Sequence, residues 1–227
     1  MGAVLDLVRV FSEPAAVFER VREQPRVLAP VAALVALAFT VAVSLRPFYE
    51  AGLRAAMSHL TPQQLERAPS AATQATIGLA LFPFNVVVML LVGALLLWVN
   101  VSLLSGEAKY RMLLSVLAYS FVSFGLFAVV SAAVLWLRGV DSVASMDDLR
   151  PALGLDLLYG GDSPFLGALL NSINPFSIYG VWLAGLGVAV THRTGRATAY
   201  TAAALSYLVG SLILSGLASL QGGGARS

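Results

Sequence analysis

The 227-residue sequence contains no cysteine, one lysine (Lys109) and two histidines, and only 11% of its residues are charged, against about 25% in a typical soluble domain. The missing cysteine excludes disulfides, thiolate catalysis and cysteine-ligated zinc or iron–sulfur centres within this sequence. Charge is not thinly spread but missing in blocks. Val27 to Leu45, Ile77 to Leu104, Met112 to Leu137, Leu166 to Val190 and Ala197 to Leu220 contain no Asp, Glu, Lys, Arg or His. A bilayer's hydrocarbon core needs about 20 apolar residues of helix to cross it, and each run is about that long or longer. Lipid offers no partner to backbone N–H and C=O groups, so a span is a helix or part of a closed barrel, and continuous apolarity excludes the alternating barrel pattern. The predicted fold class is all-α, a polytopic membrane helix bundle with five transmembrane helices and short interfacial amphipathic helices.

The same absences narrow the function. Ion-coupled carriers, proton relays and voltage sensors keep ionisable groups at membrane depth, and the five runs have none. Intramembrane hydrolysis lacks a general base and metal ligands there, and His59 and His192 fall in or beside connectors. The sequence therefore predicts a non-enzyme with no catalytic, cofactor-binding or metal-binding residues and no cofactor. A net charge of +2 with dispersed arginines predicts no nucleic-acid partner.

The expected organisation is a cytosolic amphipathic segment over 1–26, a five-helix transmembrane domain over 27–220 and a flexible tail over 221–227. Connectors before the first span and around Lys109–Arg111 and Arg193–Arg196 carry eight Lys and Arg, and those on the opposite side carry six. The positive-inside rule then places the N-terminus in the cytoplasm and the C-terminus outside. Thirteen arginines beside a lone lysine in an Ala/Leu/Val/Gly-rich chain suggest a GC-rich bacterial genome, hence a bacterial inner membrane. Asp141, Asp147, Asp148, Asp156 and Asp162 make the third connector acidic, but without an Asp-x-Asp-x-Asp-Gly pattern this reads as a solvated loop.

From Ser12 to Glu23, Val17, Phe18 and Val21 fall on one side and Arg20 and Arg22 on another, predicting an interfacial amphipathic helix. Thr61-Pro62-Gln63-Gln64 has the form of a capping box. Phe48, Tyr49 and Trp136 fit an aromatic interface belt. Small residues every fourth position in the first span, at Ala32, Ala36, Thr40 and Ser44, and in the fifth at Ala203, Ser211, Ser215 and Ser219, predict close helix packing.

Pro83-Phe84-Asn85 in the second span parallels Pro175-Phe176-Ser177 in the fourth, with Gly93 and Gly185 following at equal distance. Spans two and three thus read as a duplicate of spans four and five, as in parallel-repeat transporters. Ala32, Ala36, Gly93 and Gly185 are the candidate helix-packing positions. Pro175 cannot donate to the carbonyl of Asn171, so the fourth helix should kink there, surrounded by Asn171, Ser172, Asn174 and Ser177. Adding Asn85 beside Pro83 gives a candidate polar intramembrane cluster. It either lines a small cavity between two kinked helices or satisfies backbone groups freed at the kink.

Several of these segments resemble a known family, the prokaryotic branch of the Yip proteins (Ypt/Rab-GTPase-interacting multispanning membrane proteins). Ser12-Glu13-Pro14-Ala15-Ala16-Val17-Phe18 resembles the family's Ser/Pro-aromatic pre-helix, and Gly106 through Tyr119-Ser120 the hairpin between its second and third spans. Asn174-Pro175-Phe176-Ser177-Ile178-Tyr179-Gly180-Val181-Trp182 with Gly185 and Gly187 resembles its Asn-x-Phe…Trp…Gly run. Eukaryotic members are implicated in vesicle trafficking and bind prenylated GTPases. The eukaryotic Asp-Leu-Tyr-Gly-Pro motif is absent here, so the resemblance implies a five-span, N-in fold and a membrane-organising role. The expected function is a scaffold that engages membrane lipids and another membrane protein or a second copy of itself. The alternative is passive binding or translocation of lipid or a small neutral solute between the repeated helix pairs. Ala36→Asp should block insertion of the first span, because one mid-span Asp costs about 2.5 to 3.5 kcal/mol, comparable to the favourable apolar total; a glycosylation-tag insertion assay reads the loss.

Overall fold

Among the described residues of the computed structural model, 2–161 and 163–223, all regular structure is helical and no strand occurs. The helices are α1 (Gly2–Arg9), α2 (Pro14–Glu23), α3 (Leu28–Ser44), α4 (Arg46–Met57), α5 (Pro62–Arg67), α6 (Ala71–Ser105), α7 (Tyr110–Ser120), α8 (Val122–Arg138), α9 (Pro164–Ser172), α10 (Pro175–His192) and α11 (Arg196–Gly223). Proline sits in the first turn of α2, α4, α5, α9 and α10, where its missing N–H would have had no helical partner.

Three helical stretches are long and apolar enough to cross a bilayer alone: α6, α7 continued by α8, and α11. α3 with α4, and α9 with α10, qualify only as pairs, each bent by 57° at its junction. Three spans become five if each bent pair is one. The chain is an all-α polytopic membrane bundle. Asp162 and residues 224–227, the greater part of the expected tail, lie outside the described residues.

Pro83 does not break its helix: α6 runs 35 residues through it. Proline removes one donor, to the carbonyl of Leu79, but within a membrane helix this alone does not break the element.

The chain divides into two compact units. The first comprises Met1–Leu34, Val88–Phe124 and Ala152–Ser227. One core cluster joins Leu7 and Val10 of the N-terminal hairpin and Val17, Phe18 and Val21 of α2 to Leu34, Val116, Tyr119 and Leu183. The apolar face of α2 thus meets the bundle, not the lipid surface expected from its amphipathic pattern. Burial against helices and burial in an interface give the same period. The deciding feature lies elsewhere in the chain: a Cβ on Gly187 would collide with Val116 and stand 2.9 Å from the Phe18 ring, so only glycine leaves room for that ring. A second cluster joins Leu97 and Val101 of α6, Leu113 of α7, Ala184 and Val188 of α10, and Ala199, Ala202 and Ala203 of α11. On the small-residue face of α11, Ala203, Ser211 and Ser215 are buried and Ser219 is half-buried.

The second unit comprises Val35–Val87 and Gly125–Pro151. Phe48 is fully buried and meets Trp136 edge-on at 5.1 Å, so it is a core residue rather than part of an aromatic belt; Tyr49 and Trp136 stay exposed. Thr61 and Gln64 form the capping box of α5. Arg46 pairs with Glu50 at 2.9 Å. Asp148 accepts the N–H groups of Ala144 and Ser145 and the Ser145 hydroxyl; its slight burial raises its pKa, but those bonds outweigh that and hold it below the usual carboxylate value.

Gly187→Ala is expected to lower the thermal midpoint of the detergent-solubilised protein, by an overpacking cost of about 1 to 3 kcal/mol. Gly216→Ala, with nothing within 4 Å of its added carbon, should leave the midpoint unchanged or raise it.

Candidate polar site at the broken helix

The α9–α10 junction gathers four of the five residues of the predicted polar cluster. The last carbonyls of a helix have no partner of their own and, in lipid, no water. Here each of the final carbonyls of α9 has one. Ser172 Oγ donates to the Leu169 carbonyl at 2.7 Å and the Ile173 N–H to that of Leu170 at 3.1 Å. Asn174 Nδ2 donates to the Asn171 carbonyl at 3.0 Å. The Ser172 carbonyl accepts from Tyr207 Oη of α11 at 2.6 Å, and the Ile173 carbonyl from the Leu155 N–H at 3.0 Å.

The start of α10 is built with equal economy. Asn174 is its N-cap, with extended backbone, and forms a reciprocal box with Ser177: Asn174 Oδ1 accepts the Ser177 N–H at 2.9 Å and Ser177 Oγ accepts the Asn174 N–H at 3.0 Å. A single side chain, Asn174, therefore closes the end of one helix and opens the next. Asn171 turns its amide to Asp156, donating to Oδ2 at 2.7 Å, while the Gly154 N–H holds Oδ1 at 2.9 Å. Gly154 lies over this terminus so closely that a Cβ would come within 2.7 Å of the Ile173 carbonyl. The observed bonds thus employ the side chains of Ser172, Asn174 and Ser177 in satisfying backbone and that of Asn171 in holding Asp156. Asn85 is not among them: it belongs to the second unit and is exposed on the unbroken α6.

Sequence reasoning missed two further polar contacts. Asn100 of α6 donates to Ser206 Oγ of α11 at 3.2 Å as well as to the Leu96 carbonyl, and Asp6 pairs with Arg20 at 2.8 Å. The bond from Tyr207 of α11 to the Ser172 carbonyl was missed as well.

Of the helix-packing candidates, Gly93 and Gly185 each stand where consecutive helices approach. A Cβ on Gly93 would meet Leu117 of α7 at 2.9 Å, and one on Gly185 would collide with the Tyr200 ring of α11. The glycines of the proposed repeat thus correspond, whereas its prolines differ: Pro175 begins a helix and Pro83 lies inside one. Ala32 and Ala36 are exposed on α3. Among the described residues no group of three or more His, Asp or Glu is placed to hold a metal. Two open grooves lie in the second unit, one of about 500 Å³ beside Glu50, Arg54 and Ser70, the other beside Leu53, Leu60 and Gln74.

The family model for the Yip1 domain matches residues 8–218. The chain belongs to the Yip1 domain family. It is 29% identical over 196 residues to Membrane protein YknW of Bacillus subtilis (strain 168), covering 83% of this chain and 78% of that protein. No solved structure matches. In this Yip1-domain chain, the run from Asn174 to Gly187 that carried the resemblance is a packing module. Asn174 and Ser177 cap it, Tyr179 stacks between Phe11 and Trp182, and a Cβ on Gly180 would collide with Ser123.

Asn174→Ala removes the N-cap that accepts the Ser177 N–H, a loss of about 0.5 to 2 kcal/mol, together with the donor to the Asn171 carbonyl. The thermal midpoint should fall clearly. Tyr207→Phe should lower it less, since Asn174 Nδ2 also reaches the Ser172 carbonyl at 3.4 Å. Exposed Asn85→Ala should stay within about 0.5 kcal/mol of the parent.

Proposed function

We propose that this Yip1-domain protein is a non-enzymatic scaffold of a bacterial inner membrane, with its N-terminus in the cytoplasm and its C-terminus outside, which engages another membrane protein through α3. The observation that carries this reading is the surface of α3. Within its 17 residues only Pro30 and Leu34 are buried, and the small side chains of Ala32, Ala36, Thr40 and Ser44 are all exposed. Thr40 and Ser44 turn their hydroxyls back onto the helix, donating to the carbonyls of Ala36 and Val41, so that the small positions present little polar surface. In lipid, where apolar surface alone gives no driving force, a row of small residues favours association because it lets another helix approach closely. Family membership supports a membrane-organising role, and the excess of Lys and Arg in the connectors at Lys109–Arg111 and Arg193–Arg196 supports the orientation.

The passive-pathway reading draws less support. The amides it needs are engaged with backbone and with Asp156, and α6 does not break at Pro83. Native mass spectrometry of the protein extracted in its own lipid should show a stoichiometric second protein, lost from the Ala32→Leu, Ala36→Leu double variant while that variant still folds. A partner retained in full by the double variant would reject α3 as the docking surface, and a species holding only lipid would reject the scaffold.

A further inference from the structure

The α1–α2 hairpin carries charge to a level where the neighbouring spans are apolar. Its tip is fixed by Phe11, whose ring stacks on Tyr179 with centroids 5.9 Å apart and planes 3° from parallel, and by Leu7 and Val10, which bury against Tyr119 and Leu183. Tyr179 precedes His192, the end of α10, by about 20 Å of helix rise, and Tyr119 lies about 14 Å along α7 from Tyr110. At that level α10 exposes Ile178 and Trp182, the kind of surface that faces lipid. Counted from the His192 end of α10, the hairpin tip therefore lies about 20 Å along the helix, although none of its charges belongs to a spanning run.

One of these charges is neutralised locally. Asp6 is buried, receives Arg20 at 2.8 Å and has Arg9 at 3.8 Å. The remaining charge stays on the surface: Arg9, Glu13 and Glu19 are exposed, as is Ser12 at the turn, and Arg20 keeps donors beyond the two given to Asp6. Arg9 and Glu13 lie four residues apart at the turn, their backbones joined by the Glu13 N–H bonding the Arg9 carbonyl at 2.7 Å. A guanidinium and a carboxylate facing hydrocarbon draw water and headgroups inward.

We propose that the α1–α2 hairpin is re-entrant and holds open a hydrated indentation in the leaflet, occupied by the headgroup of a zwitterionic phospholipid: its phosphate on Arg9 and Arg20, its ammonium on Glu13. The adjacent opposite charges favour this occupant over an anionic lipid, which would leave Glu13 facing a like charge.

The absence of cysteine makes single-cysteine spin labelling unambiguous. In phosphatidylethanolamine nanodiscs, a label at Ser12→Cys should collide with a water-soluble nickel complex, while one at Ile178→Cys, on α10 beside Tyr179, should collide chiefly with oxygen. Oxygen-dominated collisions at both sites would remove the indentation; nickel access at both would show that this level lies outside the bilayer and overturn the re-entrant hairpin. Native mass spectrometry tests the occupant. The parent should retain phosphatidylethanolamine, and the Arg9→Gln, Glu13→Gln double variant, which leaves the Asp6–Arg20 pair in place, should lose it. Unchanged retention, or a preference of the parent for phosphatidylglycerol, would overturn the headgroup assignment.

Discussion

Everything in this fold answers to one constraint: at membrane depth a backbone carbonyl or N–H has no water to turn to. A long unbroken helix meets it automatically, and α6 does so for 35 residues. A broken helix must supply substitutes, and the α9–α10 junction supplies them from Ser172, Asn174, Ser177, Leu155 and Tyr207. The polar residues of this segment are therefore the cost of bending a span by 57°, not a departure from an apolar plan. Tyr207 adds a tertiary consequence: because it reaches from α11 to a carbonyl of α9, the bend is held by a neighbouring span as well as by its own cap.

α10 is the element on which the first unit is organised. Its glycines give four helices access at successive levels: Gly180 to Ser123 of α8, Gly185 to Tyr200 of α11, and Gly187 to Phe18 of α2 and Val116 of α7. Without side chains at these positions the helix admits aromatic rings and hydroxyls against its backbone, and dispersion contacts then hold it in a medium where apolar burial gives no net gain. Short sequence motifs in such a chain mark contact geometry. The family run is legible as a run because its spacing follows the helix faces that meet these neighbours.

How far the sequence revealed the structure depended on range. The five uncharged stretches were legible because lipid forbids isolated charge, and the α5 capping box because it is complete within four residues. Pro175 and Pro83 looked alike but act differently: Pro175 is preceded by Asn174 and followed by Ser177, a working cap, whereas Pro83 follows Phe82 and has no cap to start a new helix. The amphipathic face of α2 was legible, but its destination depended on Gly187, over 160 positions away. The Asp6–Arg20 pair joins residues in separate short helices, and no local period announces it. Within the polar cluster, Asn171, Ser172, Asn174 and Ser177 were readable as a group because they lie together in the chain, while the bond partners Asp156 and Tyr207 come from elsewhere in it.

The length of α6 has a bearing on the bilayer itself. Its exposed apolar side chains run from Ile77 to Leu104, about 40 Å of helix against a hydrocarbon core of about 30 Å. A helix with that much surplus tilts or thickens the lipid around it, whereas charged residues at membrane depth favour local thinning. A chain that makes demands of both signs has no single matched bilayer thickness. Its fit then varies with acyl-chain length, and membrane thickness becomes a variable to which this protein is mechanically coupled.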